Sequence, residues 1–364
     1  MKFNIIRSKF IEGLKAVQNV VNSKASLPVL QNVLLESEGK VLRMTTTDLD
    51  ISIVCEVECE TEEPGKTTLP VKLLFNSISC ADEGVIGIEV NEEEKAKIRA
   101  GSANFKLTGL SEVNFPRLPS DETSYEYSVS QTVLKEMLRK TAYAASQDDT
   151  RRTLKGVLMS FRSNKLTMVA TDGRRLALVE NEMEVPVDAE KDIILPPKTV
   201  QELQRSLGSE GDIKVMVQNT QVRFTLGNIS IFSKLVDDTY PNYKQVIPQS
   251  FAQSIVIDRQ LFVNALERAS VMSMDEAHST KLRFSNGTLT VSAAASDIGE
   301  AKDEVPIKYS GDEIEAMFNP TYIMQCLNAI DDDEISIEIN NGQSPAAIKC
   351  SVAFIYVIMP LRTN

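Results

Sequence analysis

Apolar positions along the chain switch between two periods, and the switches recur. Near the start, Phe3 to Ile6 alternate as a strand does. Phe10, Leu14, Val17 and Val21 then fall at i, i+4, i+7 and i+11, one stripe of an amphipathic helix. Ser8 is placed to cap that helix, and Lys15, Asn19 and Asn22 lie opposite its stripe. Leu27-Pro28 breaks the pattern, and strand-like runs follow at Val29–Leu35, Val41–Thr45 and Ile51–Val57. Glu62-Glu63-Pro64-Gly65 reads as a turn. Leu69-Pro70 opens a second helix through Leu73, Leu74 and Ile78. Strands resume at Val85–Val90, Lys97–Ala100 and Asn104–Thr108, and the unit closes at Asn114-Phe115-Pro116.

The same order then runs twice more. Leu134, Leu138, Thr141 and Ala145 carry a first helix stripe, with Arg139 where Lys15 stood, since 139 − 15 = 124. Leu195-Pro196 answers Leu69-Pro70 and opens a helix with Val200, Leu203 and Leu207 on one face and Lys198, Gln201 and Arg205 on the other. In the third pass Phe262, Leu266 and Ala269 form the stripe, with Asp258 as cap, and Asn319-Pro320 opens the second helix. The outward face of that last helix, Tyr322 and Gln325, is not basic. The clearest mark of the repeat is Thr171-Asp172-Gly173-Arg174-Arg175-Leu176, whose worn copies are Thr47-Asp48-Leu49-Asp50 and Ser296-Asp297-Ile298-Gly299. The first step is 171 − 47 = 124 residues, far longer than solenoid units of roughly 20–50 residues, so whole domains are repeated. The expectation is α+β architecture in three domains, 1–122, 123–250 and 251–364, each with two helices packed on antiparallel sheet.

Composition narrows the function. Hydrophobic residues make up 42% and charged residues 25%, an ordinary globular balance. No apolar run approaches a membrane span, and the N-terminus lacks the apolar core of a signal peptide. Cys55, Cys59, Cys80, Cys326 and Cys350 are odd in number and in no metal-ligand spacing, which points to a reducing, cytoplasmic protein. The one histidine, His278, stands in a polar stretch as a solvated bystander, so histidine-based nucleophilic catalysis has no support. Gly65-Lys66-Thr67 mimics the end of a phosphate loop, but Glu60 stands where the loop needs its first glycine. Asp48-Asp50 and Asp331-Asp332-Asp333-Glu334 read as turn and solvated surface, and Asp172 as turn chemistry. No catalytic residue, metal site or cofactor is expected. Net charge is −12, which argues against a nucleic-acid partner. Against that background, Lys15, Lys72, Arg139, Lys198 and Arg205 recur at equivalent helix positions, a footprint of phosphate contact without base reading.

The chain resembles the bacterial DNA polymerase sliding clamps along its whole length. Thr171 to Ala177 is similar to the family's T-D-G-H/R-R-L-A, Leu235 to Tyr243 to its L-x-D/E-G-x-F/Y-P-D/N-Y, and Met359-Pro360-Leu361-Arg362 to its M-P-M/V-R. Asp238, Asn242 and Leu361 depart from the usual glycine, aspartate and methionine. The resemblance implies a head-to-tail homodimeric ring with pseudo-sixfold symmetry, held on double-stranded DNA by topology without sequence preference. It implies no catalysis, and as partners a clamp loader, the replicative polymerase and repair proteins carrying a clamp-binding motif. The DNA-facing set becomes Lys15, Lys24, Lys72, Arg139, Lys198 and Arg205. The implied partner-peptide groove is lined by Leu154, Thr171, Gly173, Arg174, Arg175, Leu176, Pro241, Val246, Tyr322, Val357, Met359, Pro360, Leu361 and Arg362. The implied ring contact sets Phe105 and Leu107 against Val271 and Met272, with Lys72 facing acids among Glu300, Asp303 and Glu304. A scaffold using the same groove without DNA, and a metal-dependent hydrolase built on the acidic clusters, are the competing readings.

Overall fold

A computed structural model describes residues 1–21, 27–118, 125–273, 279–295 and 298–361. Asn22, Lys24, His278, Ser296, Asp297, Arg362 and the 122/123 boundary lie outside them. The chain divides into two compact units, Met1–Thr132 with Gln201–Leu235, and Val133–Val200 with Val236–Asn364.

In the first unit, helix α1 (Arg7–Val17) follows strand Lys2–Ile6 directly and buries Phe10, Leu14 and Val17. Ser8 is its second residue and not its cap; the chain enters from an extended Ile6 with no side-chain cap. Helix α2 (Val71–Ser79) buries Val71, Leu74 and Ile78, while Leu73 points outward. Phe3 meets Phe10 edge to face, ring centroids 6.5 Å apart, in the core. The expected strand Val29–Leu35 begins late, because Pro28 starts a 3-10 turn over Pro28–Gln31. The expected turn at Glu62–Gly65 is strand on both sides of Pro64, Glu60–Glu63 and Gly65–Pro70. Gly65-Lys66-Thr67 therefore lies in a strand, not in a phosphate loop. Five strands, Glu60–Glu63, Lys2–Ile6, Val85–Val90, Lys95–Ala100 and Ala103–Thr108, form one antiparallel sheet in that order. An eight-stranded sheet runs Tyr125–Ser130, Asp212–Val217, Gln221–Leu226, Ile229–Lys234, Ile51–Glu58, Val41–Thr47, Asn32–Glu38 and Gly65–Pro70.

The second unit holds a twelve-stranded antiparallel sheet. Helix α3 (Gln131–Thr141) and helix α5 (Pro197–Ser206) are each crossed by the division between units. Between them lies α4 (Arg152–Lys155), one turn that the hydrophobic pattern does not signal. Helices α6 (Arg259–Ser270) and α7 (Pro320–Asn328) pack on each other. The expected cap Asp258 forms, accepting from the Leu261 amide at 2.8 Å, and Asn319 proves to be a cap as well, accepting from the Thr321 amide at 2.9 Å.

The large sheets are each built around one repeated joint. In the first unit, the strand after the Thr-Asp turn pairs with the last strand of the next repeat, Ile53 opposite Ile231. In the second unit the same joint sets Ala177 opposite Tyr356. Strand Ala103–Thr108 is the corresponding last strand of the first repeat, and it is a sheet edge. Strand Gly299–Lys308 is the corresponding post-turn strand of the third; only Ile307 and Lys308 pair on the side away from Thr288–Ala295.

The turn feeding these joints is the same object in two copies. Asp48 Oδ1 accepts from the Asp50 and Ile51 amides at 3.0 and 2.9 Å, and Asp172 Oδ1 from the Arg174 and Arg175 amides at 2.8 and 3.0 Å. Both turns need a left-handed third residue: Gly173 has φ +86° and Leu49 φ +79°. A side chain there costs roughly 1–2 kcal/mol, against roughly 0.5–1 kcal/mol of extra chain entropy for glycine. Leu49→Gly is therefore expected to stabilise slightly, by about 0–1.5 kcal/mol on these two figures. Gly173→Ala, whose Cβ would meet Arg151 Nη1 at 3.3 Å, should destabilise. Denaturation midpoints moving in the same direction for both variants would refute the shared strain.

Candidate functional site

In the second unit, strand Arg175–Glu182 sets Leu176 opposite Val357. These two join Leu158, Val169 and Ile194 in one buried cluster. Its outer cover is half-buried: Leu178, Val236, Tyr240, Tyr243, Ile247 and Ile355. Pro241 is exposed and Val246 41% exposed on the segment that lays Tyr240, Tyr243 and Ile247 over the cluster. Leu154, in α4, is half-buried. Leu176 and Val357 are therefore floor, and the accessible apolar surface is the cover above them. The sequence reading does not assign Val236, Tyr240 or Ile247 to the groove, although the first two lie in the motif over 235–243, because the stretch has no periodicity.

The chain end is pinned beside this surface. The Met359 amide donates to Arg174 O at 2.9 Å, and the Leu361 amide to Met317 O at 2.7 Å. Met359, Pro360 and Leu361 stay half-buried. Thr171 Oγ1 donates to Arg175 O at 2.6 Å and accepts the Gly173 amide at 3.1 Å, fixing the turn at the other end. Asp238 does structural work: it accepts from Thr153 Oγ1 and from the Thr239 amide, and these bonds hold its carboxyl below the usual range. Arg174 is exposed.

Arg175 is a buried charged residue among the expected groove residues, its side chain only 7% exposed. Nε donates to Asp172 Oδ2 at 3.1 Å, Nη2 to Tyr143 O at 2.6 Å, and Nη1 to Gln325 Oε1. Its guanidinium carbon lies 4.1 Å from the Tyr322 ring centroid, a cation–π stack. The Tyr356 hydroxyl donates to Tyr322 O at 2.9 Å, so Tyr322 is held from both sides. Arg175 thus links the Thr-Asp turn, the end of α3 and α7, and acts on the apolar surface by setting Tyr322.

The helix-face cations differ in exposure. Lys15, Lys72 and Lys198 are exposed. Arg205 is exposed but bound to Glu202 at 2.5 Å, and Arg139 is half-buried between Glu136, at 2.6 Å, and Asp331. Arg139 in turn holds the Asp331 carboxyl below its ordinary value, whereas burial pushes Glu202 up despite Arg205. Two more acids of the run are also engaged: Asp332 Oδ1 accepts the Ser351 amide at 3.0 Å, and Glu334 pairs with Lys308 at 2.5 Å.

Phe105 and Leu107 are half-buried on the edge strand Ala103–Thr108, and no residue of that strand is fully buried. Val271, 59% exposed, and half-buried Met272 follow α6. Glu300 and Glu304 are exposed, and Asp303 is paired with Arg268 at 2.5 Å.

Comparison with known proteins adds to this geometry. Three domain families described as DNA polymerase III beta subunit match the chain, the N-terminal domain over residues 1–119, the central domain over 128–242 and the C-terminal domain over 244–362. The beta sliding clamps of Chlamydia muridarum and Pseudomonas aeruginosa are 31% and 33% identical, each covering all of this chain and all of theirs. The crystal structure of the Pseudomonas aeruginosa DNA polymerase sliding clamp with ligand superposes with a TM-score of 0.96 at 32% identity, over 100% of both chains.

Proposed function

Since the chain belongs to the DNA polymerase III beta subunit family, the beta sliding clamps, we propose that two copies close head to tail into a ring around duplex DNA. The observation carrying this reading is the joint that is made twice inside the chain and left open at its two ends. A third such joint, between strand Ala103–Thr108 of one copy and Gly299–Lys308 of the next, uses both open edges. A head-to-tail contact makes a fibre unless its rotation closes, and three domains per chain make six steps in a closed dimer. The domain boundaries are taken at 1–122, 123–250 and 251–364.

The acidic body then suits the task. A ring held by topology needs no strong phosphate attraction, and the exposed Lys15, Lys72, Lys198 and Arg205 give a weakly basic lining. Non-catalytic tethering follows: the surface over Leu176 and Val357, bordered by Tyr322, Pro241, Val246 and Met359–Leu361, receives a short apolar peptide from the polymerase, the clamp loader or a repair protein. The half-buried apolar cover and the few oriented polar groups support that mode of recognition.

The deciding experiment loads the protein onto a nicked circle with a clamp loader and then cuts the circle once. Retention on the circle and rapid loss from the linear form are expected. Equal loss from both, or salt-sensitive binding to both, would sink the ring. Lys198→Glu with Arg205→Glu should load poorly while remaining dimeric. Unchanged loading and sliding would instead favour a scaffold that uses the groove without DNA.

A further inference from the structure

Two of the arginines read as DNA-facing are held by acids of their own chain. On α3, Glu136 lies three residues before Arg139 and grips it with both oxygens, Oε2 to Nε at 2.8 Å and Oε1 to Nη2 at 2.6 Å. Asp331, from the segment after α7, takes the same guanidinium from the other side, Nη1 to Oδ1 at 3.0 Å. On α5, Glu202 lies three residues before Arg205 and binds its Nη1 at 2.5 Å. The same spacing separates Glu12 from Lys15 on α1.

Glu202 is the odd member. Residues one turn apart commonly pair on exposed helix faces, where both partners are solvated. Glu202 is 5% exposed, and its Oε2 is buried with no partner in good hydrogen-bond geometry, the Asn19 side chain and Arg205 being the groups that favour its charge. A carboxylate whose burial outweighs its few partners works against folding, and glutamine or an apolar residue would fit that face better. The position makes sense if the negative charge beneath Arg205 is itself useful.

We infer that Glu202, Glu136 and Asp331 act as internal competitors for phosphate, holding Arg205 and Arg139 so that the ring slides instead of sticking. This rests on the reading that these helix faces meet DNA. Each phosphate meets a guanidinium already paired with a carboxylate, through Nη1 alone in Arg205 and through all three nitrogens in Arg139, and so gains less from it than from a free arginine. The arginines therefore orient the duplex without adding two full counterion-releasing contacts. Removing the carboxylates while keeping their shape should free both guanidinium groups.

The test uses the full-length dimer loaded on DNA, with diffusion followed on single molecules and retention followed against salt. Glu202→Gln, alone and with Glu136→Gln and Asp331→Asn, is expected to slow sliding at least about threefold. The salt dependence should steepen by up to about 0.9 in log–log slope for each freed arginine. Arg139→Ala with Arg205→Ala should act oppositely, sliding faster with a shallower slope. If the alanine variants change sliding and the glutamine variants do not, the competitor role is wrong but the DNA-facing reading stands. If neither set changes anything, the DNA-facing reading of these two arginines falls with it. Should the triple variant fold poorly, Glu202→Gln alone decides, because it replaces a buried charge by a neutral group of the same shape.

Discussion

Arg175→Ala is expected to destabilise the second unit by about 3–5 kcal/mol, the range for removing one partner of a buried ion pair. The substitution strands Asp172, whose side chain is 14% exposed, and removes the donors from Tyr143 O and Gln325. Two backbone amides still satisfy Asp172 Oδ1, which should keep the loss near the lower end. Tyr322 also loses the cation beneath its ring, so a short apolar clamp-binding peptide should bind at least about tenfold more weakly, or about 1.4 kcal/mol. Arg175→Lys keeps the charge but not the planar fork, and should recover under half of the stability. Chemical denaturation with peptide titration reads both effects. A variant that unfolds like the parent and binds peptide as tightly would show that Arg175 organises nothing.

Arg175 also marks the limit of what the sequence discloses. The repeat, the helix stripes and the post-turn strands are legible because they depend on local periodicity and on turn chemistry, and Asp172 does make the turn its position implied. The family motif identifies Arg175 as part of the groove, but not that it is buried and works through Tyr322. That depends on Gln325, 150 positions away in the chain, and no local pattern encodes it. Arg139 and Arg205 show the same limit. Their helix face is predictable from 100° geometry, whereas the grip of Asp331 on Arg139 depends on packing across 192 positions. Val236 and Tyr240 fall inside the motif over 235–243 but are not assigned to the groove by it, and Ile247 just beyond it goes unread, because irregular chain has no period to show which side chains cover the cluster. The strand Glu60–Glu63 was hidden by its own composition: four acidic or polar residues beside a proline look like a turn until they are seen lining a sheet edge.

The ring joint can be given a register, and breaking or locking it should change the molecule most. Ile231 stands opposite Phe224 in its own hairpin, and Phe105 stands opposite Ile98, so Phe105 is the counterpart of Ile231. Counted four residues on from Leu42, Leu166 and Leu289, which hold the same place in the preceding hairpins, Thr46, Ala170 and Ala293 are equivalent; they face Ile53, Ala177 and Ala301, so Ala301 is the counterpart of Ile53 and Ala177. Repeating the internal joint sets Phe105 of one copy opposite Ala301 of the next, both half-buried on their strands. Antiparallel pairing then sets Lys106 opposite Glu300, since 105 + 301 = 106 + 300. That pairing answers a local fault: Lys106 faces Lys97 across its own sheet, a like-charge pair that disfavours the free edge. Lys106→Glu is expected to weaken the dimer and Lys106→Glu with Glu300→Lys to restore it. The ion pair itself contributes roughly 0–1 kcal/mol, so most of the adhesion must come from Phe105, Leu107, Val271 and Met272. Phe105→Asp should therefore give monomers that no longer persist on a nicked circle. Directly opposed residues lie about 4.5–5.5 Å apart at Cα, within disulfide reach. Phe105→Cys with Ala301→Cys should accordingly oxidise to a covalent dimer under denaturing electrophoresis, while Leu107→Cys with Ala301→Cys should not. Cross-linking by the second pair in place of the first would shift the register by two residues and separate Lys106 from Glu300. No cross-link from either pair, in a protein that remains dimeric, would mean that the ring closes by some contact other than the one repeated inside the chain.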